Sequence, residues 1–232
     1  MKAIVLRHPG GPSALSYEDV PTPKVRDGWT LLKVKGFGIN RSEIFTRNGW
    51  SPSVKLPRIL GIECVGEVVE TTDSDHLLKG QIVVSVMGGM GRVFNGSYAE
   101  YVLLSNKQIY SVNTKLTISD LTAVPETYGT AYGSLIKLQL DDADSLLIRG
   151  ATSGVGVAAA KLAFFIVIEI KINGMLALSS KALFVGSRST ATSKIPITER
   201  SITVCSAFSC ISGLFSPAKI IMTLKLWASA CC

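Results

Sequence analysis

The chain has 232 residues, 47% of them apolar and 18% charged, with a formal net charge of +7. That length and apolar content describe a globular protein with one large domain or two modest ones. The excess charge does not describe a nucleic-acid binder. Residues 1–163 carry 17 Lys and Arg against 15 Asp and Glu, whereas residues 164–232 carry 7 against 2. The basicity belongs to the tail, without clustered cations interleaved with aromatics. No apolar run reaches the roughly 20 residues that span a bilayer, since Lys161 and Glu169 interrupt VAAAKLAFFIVIEI. Cys64 stands alone in the first part, and Cys205, Cys210, Cys231 and Cys232 crowd the end. No CxxC pair or Cys/His spacing points to zinc, MKAIVLRHPGG does not read as a secretion signal, and a lipidated Cys231-Cys232 has no supporting signal. A reducing, cytoplasmic setting without membrane attachment is expected.

In chain order, AIVLR, WTLLKVKGFGI, GIECVGEVVE, QIVVSVM, SYAEYVLL and IYSV read as short strands rich in Val, Ile, Leu or Tyr. Turn signals such as HPGGP, PTPK, RDG and MGGMG separate them, so a compact, barrel-like β domain is expected over the first 112 residues. RSEIFTRNG, residues 41–49, is the one helical turn expected inside it. Near Thr117 the texture changes. TISDLTAVPETYGTAYGSLIKL predicts two helical pieces around Pro125, with Ser119 and Asp120 placed to cap the first. SLLIRG then reads as a buried strand, and GATSGVGVAAAKLA as a glycine turn opening an Ala-rich helix. Strand, glycine turn and helix begin a βαβ unit, so a doubly wound domain is expected from Tyr128.

The loop Ala151-Thr152-Ser153-Gly154-Val155-Gly156 matches the GxGxxG dinucleotide fingerprint loosely, with Ala151 and Ser153 at the first two glycine positions. Small residues let a backbone approach a pyrophosphate, and a helix N-terminus offers N–H groups and positive partial charge. Such turns also occur for packing alone.

Longer segments carry more. GINRSEIFTRNG (38–49), LPRILGIECVGEVVE (56–70), MGGMGRVFNGSYAEYVLL (87–104), AVPETYGTAYGSL (123–135) and LLIRGATSGVGVAAAKLA (146–163) together closely resemble the medium-chain dehydrogenase/reductase superfamily. The similar branch is that of the zinc-free quinone oxidoreductases. The resemblance implies an α/β fold class with a β-rich N-terminal part: a GroES-like β-barrel domain followed by an incomplete Rossmann-type domain. The boundaries expected are 1–127 for the GroES-like domain and 128–232 for a partial Rossmann NAD(P)-binding domain, family-like to about 163. Zinc is not expected. Ile62 stands where zinc alcohol dehydrogenases place the His of GHExxG, Asn40 where they place the first zinc Cys, and the structural zinc lobe is absent. No tetrahedral ligand set can be assembled from Cys64, His8 and His76.

The implied chemistry is hydride transfer from NADPH, with NAD not excluded, to a quinone or an activated alkene or carbonyl. The cofactor carries that chemistry while the protein orients it. By resemblance Asn40 lines the nicotinamide and substrate cleft; its other reading is a turn residue. Thr127 and Thr130 resemble positions near the nicotinamide and phosphates, or serve as helix caps and surface. Ala151, Thr152, Ser153, Gly154, Val155 and Gly156 form the expected pyrophosphate loop. Arg47 and Trp50 border an expected acceptor pocket, although Trp50 also fits a packing aromatic. Glu63 reads as a solvated or salt-bridged structural carboxylate, Cys64 as an inert buried thiol, and Tyr128 as structural or a proton donor. The expected partners are a small-molecule substrate, no nucleic acid, and a second copy in a homodimer if the Rossmann domain is complete.

After Ala163 the pattern breaks. FFIVIEI is a β-branched and aromatic string that should not continue the helix, and acidic residues almost vanish. The determinant of NAD or NADP is normally read roughly 20 residues past the loop, where IEIKINGML (168–176) shows none and GSRS (186–189) comes late. LFVGSRS reads as a strand too distant to be the expected second one, which leaves the first strand and its helix alone. The reading frame is expected to leave the ancestral one near Ala163. The alternative function is a catalytically impaired, truncated remnant acting as an interaction module.

Overall fold

The structure, a computed structural model, describes residues 1–139, 146–172, 183–185 and 201–203. GSRS at 186–189 and the terminal cysteines lie outside the described residues, as does most of the tail in which a departed reading frame is expected. Met1–Glu126 belong to one compact unit, and the described residues from Thr127 onward to a second. No helix among the described residues is long and apolar enough to cross a membrane.

The first unit is built on β3 (Trp29–Gly36) and β5 (Glu63–Thr71), antiparallel neighbours in a five-stranded sheet. β7 (Tyr101–Ser105) flanks β3, and β6 (Ile82–Val86) with β8 (Tyr110–Ser111) extends the sheet beyond β5. β1 (Lys2–Leu6) pairs β2 (Leu15–Asp19) and β4 (Arg58–Ile59) in a second sheet. The expected strands appear. β2 and β4 leave no strand signal in the sequence, because LSYED buries none of its residues and RI is too short to leave a pattern.

β5 reads as a continuous apolar run because both its faces are covered. Cys64 and Val68 join Leu32, Val83, Val102 and Leu104 in one cluster, while Val65 on the opposite face packs with Val84 and Leu121. Leu121 comes from α2 (Ile118–Thr122), which lies against β3 and β5. A third cluster, with Val5, Leu6, Ile59 and Tyr98, fills the space beside the smaller sheet. α1 (Arg41–Arg47) occupies the segment expected to be helical.

The cap of α2 is Thr117, not Ser119 or Asp120. Thr117 Oγ1 accepts from the Asp120 N–H at 3.1 Å and donates to Asp120 Oδ2 at 2.7 Å. A cap must precede the first helical residue, and Ser119 already lies inside the helix. α3 (Pro125–Leu138) starts on its proline, where the missing N–H costs no intrahelical bond.

In the second unit β9 (Leu147–Arg149) leads through a turn into α4 (Gly154–Ile172). Two expectations fail here. FFIVIEI does not end the helix, because α4 runs 19 residues through it. Once nucleated, a helix propagates easily, and β-branched residues cost only about 0.5 kcal/mol each. Nor is the first strand alone: β10 (Leu183–Val185) and β11 (Ser201–Thr203) both pair parallel to β9, on its two sides. A helix of roughly 28 Å uses up the sequence that made LFVGSRS look too distant. The described core is small, formed by Ala131, Leu135, Leu146, Ile148, Ala151, Ala158 and Ala159. Tyr128 packs against it.

Candidate functional site

In the first unit, the residues expected in the site lie along α1 and at its two ends. Asn40 is the N-cap, and the side chain of Glu43, three residues on, returns to it: Oε2 accepts from the Asn40 N–H at 2.6 Å. The same oxygen accepts from the Tyr98 hydroxyl at 2.5 Å, and Oε1 accepts from the Ile62 N–H at 2.8 Å. Glu43 is 4% exposed. Burial pushes its carboxyl up to about 7, against the pull of these three donors, and the nearby Glu63 charge adds to the rise. Burial also raises the Tyr98 hydroxyl, with Glu43 beside it contributing.

Glu63 is neither solvated nor salt-bridged. It is 3% exposed, and among the described residues its side chain enters no ion pair. Oε1 accepts from Asn40 Nδ2 and Oε2 from the Glu126 N–H, each at 2.8 Å. Burial raises this carboxyl too, and the two hydrogen bonds restrain it. Because an ionised carboxylate only accepts, it dictates that Asn40 turn its amide nitrogen inward. Cys64 next to it is buried, and desolvation lifts its thiol to about 12.

Arg47 and Trp50 follow on the same helix and its exit. Arg47 Nε donates to the Gly10 carbonyl at 3.1 Å and Nη2 to Asn48 Oδ1 at 3.1 Å. Trp50 is 67% exposed and stacks at a tilt on Phe45, with centroids 5.4 Å apart. A cavity of about 430 Å³ elsewhere on this unit is lined by Arg26, Trp29, Arg58 and Phe94 among others, and neither Arg47 nor Trp50 borders it. Glu43 and Tyr98 were not singled out from sequence. The spacing Asn40-x-x-Glu43 is a capping-box pattern that marks the first of them. Nothing local marks the second.

In the second unit the glycine loop makes the expected turn. Gly150 takes φ +70°, and the Ser153 N–H and hydroxyl both donate to its carbonyl, at 2.9 and 2.8 Å. Ser153 Oγ also accepts from the Gly156 N–H at 3.1 Å, which caps α4. A Cβ on Gly156 would overlap the Gly150 carbonyl oxygen and crowd Ala151, so this glycine lets the helix close on the turn. Ala151 is buried, whereas Thr152, Ser153 and Gly154 face solvent. The turn brings Gly154 beside Thr127: a Cβ at Gly154 would meet only Thr127 Cγ2, at 3.6 Å. Thr130 lies one turn further along α3, where its carbonyl accepts from Ser134 Oγ at 2.8 Å.

Small exposed loop residues ahead of a helix N-terminus fit a pyrophosphate, although Ser153 has already engaged one of the first-turn N–H groups. Among the described residues, no three of His, Cys, Asp and Glu come together in a set that could hold a metal ion.

Residues 26–114 match the alcohol dehydrogenase GroES-like domain. Human quinone oxidoreductase is 32% identical over 167 residues, an alignment covering 70% of this chain and 49% of that protein. The solved quinone oxidoreductase of Coxiella burnetii superposes with a TM-score of 0.65 at 31% identity, over 71% of this chain and 53% of that one. The quinone oxidoreductase of Thermus thermophilus, solved also in complex with NADPH, gives 0.61 at 27%, over 72% and 51%. The chain thus spans about half the length of the relatives it matches. The fold class is the one expected, a β-rich GroES-like part followed by part of a Rossmann-type α/β domain. With strand order, glycine turn and relatives in agreement, this chain is a segment of the medium-chain dehydrogenase/reductase family.

Proposed function

We propose that the chain is the cofactor-loop and β-domain portion of an NADPH-dependent, zinc-independent oxidoreductase that reduces a quinone or an activated alkene or carbonyl. The observation that carries this reading is the Gly150–Gly156 turn, closed on α4 through Gly156 and exposed at Thr152–Gly154. The relatives named as quinone oxidoreductases, one of them in complex with NADPH, supply the activity class. When bound, the dihydronicotinamide supplies the hydride.

The chain's residues then bind and orient. Ala151 to Gly156 cradle the pyrophosphate with backbone N–H groups and the helix end. Thr127, beside Gly154, and Thr130 on the same helix offer hydroxyls toward the cofactor. Asn40, its amide held by Glu63, presents a fixed polar group to the nicotinamide side. Arg47 and Trp50 border the acceptor, the exposed indole giving a flat apolar surface and Arg47 bracing the loop through Gly10. Zinc independence is favoured by Asn40 and Ile62, since an amide and an alkyl group are poor substitutes for thiolate and imidazole. A small-molecule acceptor and a cytoplasmic setting belong to the same reading, and a homodimer joins them only where the Rossmann domain is complete.

The test is fluorescence titration of the purified chain with NADPH, NADH serving as the comparison. Saturable binding at micromolar concentrations, tighter for NADPH, is expected. Absence of binding sinks the reading and leaves a β domain without cofactor chemistry, an interaction module at most. Stoichiometric zinc in the purified protein would remove the zinc-free assignment alone.

A further inference from the structure

Glu63 is anchored at every polar atom the sheet leaves to it. Its carbonyl accepts from Ser97 Oγ at 2.5 Å, fixing the strand. Its Oε1 takes the Asn40 amide and its Oε2 the Glu126 N–H. The chain folds closely over it at Gly38, where a Cβ would overlap Oε1, so the Gly38-Ile39-Asn40 turn is shaped around this carboxylate. The Glu126 N–H is the second of α3, a donor with no carbonyl partner inside its own helix. A buried carboxylate there satisfies the donor and meets the positive end of the helix dipole.

We propose that Glu63 is a positioning residue: one carboxylate fixes both the orientation of the Asn40 amide and the first turn of α3 at Glu126. The inference rests on the reading above, in which Asn40 faces the cofactor. It gives Glu63 work that no metal is needed to explain. The Asn40 amide has two ends of similar shape, and only an ionised acceptor beside it decides which end is presented. The same charge holds the first turn of α3, so loss of that charge releases both elements together. The titratable groups facing it are Glu43 from α1, Tyr98 from the strand-connecting segment and Cys64 on its own strand.

The experiment follows two NMR signals in the full chain without cofactor, the Asn40 side-chain amide and the Glu126 backbone N–H, across pH 4 to 9. Both are expected to move with one shared midpoint, that of Glu63. In Glu63→Gln the shared titration disappears, because an amide does not ionise over this range. Glu43→Gln keeps the shared titration and serves as the control for the neighbouring carboxylate. NADPH affinity is expected to weaken about tenfold in Glu63→Gln, and by clearly less when the same change is made in Asn40→Ala. Separate midpoints, or a shared titration that survives Glu63→Gln, overturn the proposal whatever NADPH does. If that variant does not fold, the wild-type midpoints decide alone. A shared midpoint in a wild-type chain that binds no NADPH supports the double anchoring by Glu63 and overturns the reductase reading instead.

Discussion

The two units reach stability by different means. The β-rich unit encloses three clusters of branched side chains, with Leu32, Val65, Val83 and Leu104 all fully out of solvent. Four of the seven buried residues in the second unit's described core are alanines. A buried Leu or Val contributes about 1.5–3 kcal/mol by removal of apolar area, and an alanine much less. What alanine and glycine permit is nearness: Gly156 lets α4 close on the Gly150–Ala151 turn, and Ala158 and Ala159 share one buried cluster with Ile148 of β9. One unit is held by what its side chains fill and the other by what they leave out. The unit built on omission should tolerate enlargement worst, and the unit built on filling should tolerate truncation worst.

The largest effect is therefore expected from Gly156→Val. Its Cβ would overlap the Gly150 carbonyl oxygen, which is backbone and cannot rotate away. A cost of about 3–5 kcal/mol should melt the loop and helix, abolish NADPH binding, and leave the near-ultraviolet signal of the β unit intact. Loss of that signal too would mean that the units do not fold separately.

Leu32→Ala tests the other side. Leu32 is 0% exposed in the largest cluster, and its truncation should lower the β unit's stability by about 4 kcal/mol in urea unfolding. An effect below about 1 kcal/mol would show that this core collapses around the gap.

Next comes pH. Glu43 has its carboxyl raised from 4.5 to about 7, so the folded state holds a proton that the unfolded state has released. Stability should fall as pH rises from about 4.5 to about 7 and level off above, a loss of about 3 kcal/mol from this group. Comparison with Glu43→Gln isolates it. The variant should show a flatter dependence over that window, and an identical slope would assign the effect elsewhere. Smallest of all, Lys2→Met removes an exposed pair with Asp19 and should leave the urea midpoint unchanged within error.

The strands were legible where local composition determines burial. β5 and β6 are dense in Val and Ile because successive residues on both their faces are buried. β4 is two residues whose role depends on β1, so no local pattern records it. α4 misled for the opposite reason: FFIVIEI has strand-like composition, yet the helix begun at Gly154 continues through it. In the candidate site Asn40 and the loop could be found from sequence, because their positions are tied to short spacings. Glu43 and Tyr98 are 55 residues apart and meet only through the fold. Glu63 reads from sequence as a solvated or salt-bridged carboxylate, since nothing nearby in sequence says that Gly38 and the first turn of α3 enclose it.

Cys64 carries a practical consequence. Its thiol is buried in the β unit's main cluster and held protonated, its ionisation pushed up to about 12. The thiolate is the form that attacks alkylating reagents, so a closed β unit hides this residue twice over, by access and by ionisation. Its labelling, followed on the peptide that contains it, becomes a clock for the opening of that unit. The clock runs without denaturant and without cofactor, and it reads the breathing of the sheet from a sulfur atom inside its main cluster.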